Sequence, residues 1–169
     1  MKNPTAVCYK IASEAHANQY RWDGTPYMSH IIAVHGNLVK AVKEDKLIEL
    51  DDSQFAVAEC VAMLHDVVED CMTEYIFRLR LMEIGDAAVE ELICKTVVGE
   101  LTHDHSMTYF DYVKNIKSKI GLLVKYCDMQ HNMSCSMKNI MDNEDVLRAS
   151  KQLKKYGKAL PIVLSKLVG

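Results

Sequence analysis

The stretch Phe55-Ala56-Val57-Ala58-Glu59-Cys60-Val61-Ala62-Met63-Leu64 is apolar on nearly every side of a helix, and it runs directly into His65-Asp66-Val67-Val68-Glu69-Asp70. A helix apolar nearly all round is usually buried. Ionisable groups at the end of a buried helix are costly unless they are paired, exposed or bound to a metal. The chain is therefore expected to build a helical core around this segment and a polar site at its end. On a continuous helix, residues four apart share a face, which puts Glu69 near His65 and Asp70 near Asp66. One short patch then presents a metal-binding pair and an acid/base pair to the same cavity.

The rest of the chain fits a helical core. Only seven glycines and three prolines interrupt 169 residues, so helical periodicity dominates. The pattern predicts helices near 3–19, 28–43, 52–70, 73–83, 85–99, 108–117, 119–136 and 143–167. Residues 20–27, Tyr-Arg-Trp-Asp-Gly-Thr-Pro-Tyr, are the clearest break. Asp51 or Asp52 can cap the helix that leads into the central motif, and Asp142 or Asn143 the last helix. Pro161 is expected to kink or end that last helix. The β-branched run Thr96-Val97-Val98 is too short to make a strand. No repeat, linker or low-complexity tract divides the chain, so the expectation is a single all-α domain over residues 1–169.

Composition narrows the function classes. A net charge of −3 does not suggest a nucleic-acid binder. No run reaches the ~18 apolar residues of a membrane span, and the first residues lack the apolar stretch of a signal peptide. The six cysteines, Cys8, Cys60, Cys71, Cys94, Cys127 and Cys135, form no C-x-x-C pair. They read as reduced thiols, several in the core, of a cytoplasmic protein.

A divalent ion needs more ligands than His65 and Asp66, often from separate elements. His30 stands at the start of the second helix, and Asp128 ends the largely apolar run 121–128. Asn132 follows on the same helical face. A His/His/Asp/Asp set mixes N and O donors and suits Mn²⁺, Fe²⁺ or Zn²⁺ better than Ca²⁺ or Mg²⁺. Such an ion lowers the pKa of a bound water and polarises a phosphoryl oxygen. Glu69 and Asp70 can orient or deprotonate that water and help protonate a leaving group, with their proton affinities pushed apart.

Three blocks in order carry a family resemblance. Residues 21–30, Arg-Trp-Asp-Gly-Thr-Pro-Tyr-Met-Ser-His, resemble the Arg-x-x-Gly-x-Pro-Tyr-x-x-His opening of the (p)ppGpp hydrolase domains of RelA/SpoT-type proteins, within the HD superfamily of metal-dependent phosphohydrolases. Residues 65–70 resemble their His-Asp-x-x-Glu-Asp motif, and residues 125–132 their Lys-x-x-Asp-x-x-x-Asn segment. The resemblance spans roughly residues 10–160. It implies a single HD-domain helical bundle with His30, His65, Asp66 and Asp128 as ligands of Mn²⁺ or another divalent transition metal. Glu69 and Asp70 serve the nucleophilic water. Arg21 packs on or near the guanine base, Asn132 faces the nucleotide, and Trp22, Tyr27 and Lys125 join the substrate contacts. The implied reaction removes the 3′-pyrophosphate of guanosine tetra- or pentaphosphate, giving pyrophosphate and GDP or GTP, in a small stand-alone enzyme of the stringent response. The implied partner is this small-molecule nucleotide, with no nucleic acid and no membrane; a homo-oligomer stays open.

Two positions depart from the family pattern. Trp22 stands where lysine is common, and Met129 where arginine is common. Trp22 can stack on a base but cannot neutralise phosphate. An HD-type nucleotidase for another nucleotide is the alternative. Plainer readings also exist: Arg21 as an exposed loop charge, Trp22 and Tyr27 as cover for the core, and Asp128 as a partner of Lys125 one turn away. His103-Asp104-His105 is a second His/Asp cluster that reads as a loop and a candidate substrate rim. His16, His35 and His131 read as surface groups or supports of the ligands. Lys151, Lys154, Lys155 and Lys158 form a basic stripe whose default is a solvated face.

Overall fold

The computed structural model describes residues 2–169, and the only β pairing among them is an isolated bridge between Tyr20 and Pro26. The all-α expectation holds. Helix α1 (Pro4–Ala15) starts where Asn3 accepts the Ala6 amide and Pro4 supplies a first position that needs no N–H. It ends at His16, shorter than the sequence pattern suggests. The turns that follow are held by Asp23, whose carboxylate takes the Thr25 amide and hydroxyl, and by Gly24 at φ 79°. This loop delivers the chain into α2 (Tyr27–Lys43).

Helix α3 (Asp52–Leu64) opens with a complete capping box between Asp51 and Gln54, so Asp51 is the cap. Its residues Val57, Ala58 and Cys60–Leu64 are all buried, and it packs against α1, α2 and α8 (Lys119–Met141). The expected continuous helix 52–70 does not form. The chain breaks at Asp66, at φ −103° and ψ −5°, and restarts as the single turn α4 (Val67–Asp70). That conformation is the sparsely populated bridge region where active-site residues often sit.

Helices α5 (Glu74–Leu81) and α6 (Ala87–Thr96) close the other side of the core around Phe77, Leu81 and Ile93. The expected helix 85–99 finishes as a π-helical turn, Val97–Leu101, in which the Thr102 amide and hydroxyl both reach the Val97 carbonyl. A loop through residues 102–108 then enters α7 (Tyr109–Asn115). Helix α8 runs five residues beyond its expected end. Asp142 closes α8 instead of opening α9 (Val146–Val168), which starts from Asp145 in the left-handed region with no side-chain cap. Ala149, Tyr156, Ala159, Val163 and Leu167 form the buried stripe that lays α9 along α8. Pro161 does not end α9: the helix continues past it to Val168. Both Pro161 and Gly157, whose carbonyl loses its partner, are exposed, so water replaces the lost bond. No helix among the described residues is long and apolar enough to cross a membrane.

Candidate metal centre

Three elements bring His30, His65, Asp66 and Asp128 together. His30 lies in the first turn of α2, His65 and Asp66 at the break after α3, and Asp128 near the middle of α8. His30 Nε2 stands 3.3 Å from His65 Nε2, 3.4 Å from Asp66 Oδ2 and 3.4 Å from Asp128 Oδ1. His65 Nε2 stands 3.0 Å from Asp66 Oδ2 and 4.0 Å from Asp128 Oδ1. Donors bound at ~2.0–2.2 Å to one ion stand roughly 3.0–3.4 Å apart at octahedral to tetrahedral angles. His30, His65 and Asp128 place one donor each within 4.8 Å of the others and suit a divalent transition ion; Asp66 approaches both imidazoles but does not complete a common group with Asp128.

The surroundings fix these donors. His65 Nδ1 donates to the Ala62 carbonyl at 2.9 Å, which leaves the lone pair on Nε2. His30 Nδ1 meets His131 Nδ1 at 2.8 Å, and burial together with the charge of His30 pushes His131 down to about 4. His131 is thus the neutral acceptor, and His30 also turns Nε2 toward the centre. Tyr27 donates its hydroxyl to Asp66 Oδ2 at 2.7 Å. Asp128 pairs with Lys125, whose Nζ donates to Oδ2 at 2.9 Å, while Oδ1 accepts Asn132 at 2.5 Å and faces the histidines.

Electrostatics follow this arrangement. Burial opposes charge on the carboxylates, but the imidazoles hold Asp66 well below the usual carboxylate range, and Lys125 with the imidazoles lowers Asp128. Burial likewise opposes the His65 imidazolium, yet Asp66 and Asp128 outweigh it and raise His65 to about 9.

His30, Asp66 and Asp128 line a cavity of about 450 Å³, with His65 buried beside them, a volume within the usual ~300–1,000 Å³ of small-molecule sites. Arg21, Trp22 and Tyr27 line it, as do Lys125 and Asn132. Arg21 donates to Asn132 at 3.1 Å. Its Nε, Trp22 Nε1 and Tyr109 Oη are buried with no partner, so this wall carries unused donors. Helix α9 supplies Arg148, Gln152, Lys155 and Tyr156. Arg148 stacks over the Trp22 ring at 4.9 Å. The basic stripe therefore splits: Lys155 turns inward over Tyr109 and Tyr156, while Lys151, Lys154 and Lys158 stay on the solvent face. Met129 is fully buried in the core and lines no part of the cavity.

The two candidate acid/base residues separate at the break after Asp66. Glu69 lines the cavity and accepts the His103 amide at 3.1 Å. Asp70 accepts Gln19 at 2.9 Å and does not line the cavity. Gln19 in turn accepts His16 Nδ1 at 2.5 Å, and His16 stacks on Tyr27 at 4.7 Å. Asp70 thus joins a network that ends on Asp66 through Tyr27.

No protein-family model matches the chain. A solved structure does: a metazoan ortholog of SpoT, described as hydrolyzing ppGpp and playing a role in starvation responses. It aligns with 99% of this chain and 93% of its own at a TM-score of 0.62 and 20% identity. The shared architecture is an all-α helical bundle, the fold class expected from the sequence.

Proposed function

We propose that the chain is a metal-dependent phosphohydrolase, one HD-type domain over residues 1–169, that removes the 3′-pyrophosphate of guanosine tetra- or pentaphosphate and releases GDP or GTP. The observation that carries this reading is the convergence of His30, Asp66 and Asp128, with His65 buried beside them, at a cavity whose wall holds Arg21, Lys125, Arg148 and Lys155. The activity described for the SpoT ortholog supports the choice of substrate.

His30, His65, Asp66 and Asp128 would hold a divalent ion, Mn²⁺ in our reading, whose chemistry there would be to acidify a bound water and polarise a phosphoryl oxygen. Glu69 faces the cavity and accepts the proton of the attacking water at its carboxylate. Asp70 acts as a positioning residue through Gln19, His16 and Tyr27. Arg21 and Trp22 hold the base between a guanidinium plane and an indole. Arg148 and Lys155, from the far end of the chain, meet the phosphates and supply cations that Trp22 and Met129 do not. Six unpaired thiols suit a reducing, cytoplasmic setting, and a role in starvation signalling follows from the substrate.

A second reading keeps the centre and changes the nucleotide, because an indole at position 22 favours stacking over phosphate binding. Anion-exchange chromatography of guanosine tetraphosphate incubated with the protein and Mn²⁺ separates the two. GDP and pyrophosphate from the wild type, and neither from Asp66→Ala, is the expected result. Intact tetraphosphate beside orthophosphate release from a nucleoside monophosphate overturns the first reading in favour of the second.

A further inference from the structure

We propose that Glu69, His103 and His105 form a second divalent transition-metal site on the rim of the cavity. One donor atom from each lies within 4.8 Å of the others. All three residues line the same cavity as the His/Asp centre, yet none belongs to that set. Two imidazoles and a carboxylate are a borderline-soft donor set that suits Zn²⁺ and related ions.

The loop is built to hold this arrangement. The π-helical turn and the Thr102 bonds to Val97 bring the chain out beside α4. The His103 amide donates to Glu69 Oε2, which ties the loop to the carboxylate and leaves Oε1 free. His103 Nε2 lies 3.2 Å from the Met107 carbonyl, an acceptor only, so Nε2 carries the proton and Nδ1 the lone pair. Asp104, between the histidines, takes the Ser106 amide at 2.9 Å and the Ser106 hydroxyl at 2.7 Å, which fixes the turn. The two imidazole centroids are then 4.9 Å apart.

Charge gives the site a use. Residues 97–108 contain no lysine or arginine, and the cavity's cations stand on α8, α9 and the 21–22 loop. An ion here places positive charge on a wall that has no lysine or arginine, open on its remaining positions to a phosphate oxygen. A carboxylate has about four lone-pair positions, so Glu69 can hold this ion, keep the His103 amide and still meet a water. The phosphate role rests on the hydrolase reading above; ion binding itself does not.

Equilibrium dialysis of the full chain against Zn²⁺ alone, with metal counted by mass spectrometry, tests this site. The wild type is expected to hold two ions, and His103→Ala/His105→Ala and His105→Gln one each. Asp128→Asn is expected to lose the other ion. His35→Ala, whose imidazole pairs with Glu59 elsewhere, leaves the count at two. Retention of one ion by the loop variants also reports that they fold. One ion in the wild type, or two in the double loop variant, overturns the proposal. No nucleotide is present, so either result stands apart from the success or failure of the tetraphosphate assay.

Discussion

Tyr27 carries more than the substrate contact implied by its place in the Gly-x-Pro-Tyr block. Its hydroxyl holds Asp66 and its ring stacks on His16. Tyr27→Phe keeps the ring and removes the hydrogen bond. Groups that orient a ligand in this way are worth roughly 10–100-fold in metal affinity, so Mn²⁺ titration of the variant is expected to show about a tenfold loss with an unchanged helical spectrum. His65 gives a second test. In the metal-free protein its pKa is raised from 6.5 to about 9. A raised folded-state value stabilises the protein fully below the unfolded pKa and loses that contribution as pH climbs through the folded one. Urea midpoints of the metal-free protein are therefore expected to fall between about pH 6.5 and pH 9, whereas Mn²⁺ binding, which must displace this proton, tightens over the same range. A flat urea profile in that window contradicts the geometry around His65. The residues that converge here were legible because each belongs to a local block; the pairing of His131 with His30 was not, since that contact joins residues 101 apart.

At the scale of elements, the break between α3 and α4 decides which carboxylate meets the cavity. Spacing alone treats 52–70 as one helix, because Val67 and Val68 continue the apolar pattern without glycine or proline. The break comes from the side-chain demands of Asp66, which faces both imidazoles and Tyr27, and tertiary contacts of that kind leave no mark on local propensity. The same holds for α9, where Pro161 persists because it faces water. Leu64, fully buried at the end of α3, is the last packed residue before the ligands. Leu64→Ala is expected to cost about 3 kcal/mol in urea unfolding and to loosen metal binding as well, since the cavity opens beside His65. A stability loss with unchanged metal affinity separates the core from the centre and contradicts this coupling.

Across the whole molecule, the cavity is closed by the last helix. The basic stripe of α9 was readable as a solvated face, but the rotation of the helix against α8 was not, and that rotation brings Arg148 and Lys155 to the cavity and leaves Lys151 and Lys154 in water. Arg148→Ala and Lys155→Ala are expected to raise KM for the tetraphosphate by about tenfold each, in line with ~1.5–3 kcal/mol for a charge-assisted hydrogen bond, with the Mn²⁺ affinity unchanged. The corresponding change at Lys151 is expected to have no such effect. The most direct measurement of the central claim is turnover of guanosine tetraphosphate by chelator-stripped protein as Mn²⁺ is added back in graded amounts beside His65→Ala. Pyrophosphate release that is absent from the stripped protein, rises with Mn²⁺ occupancy and stays absent in the variant is the expected result. Release by the stripped protein, or by His65→Ala at the wild-type rate, contradicts a reaction centred on His30, His65, Asp66 and Asp128.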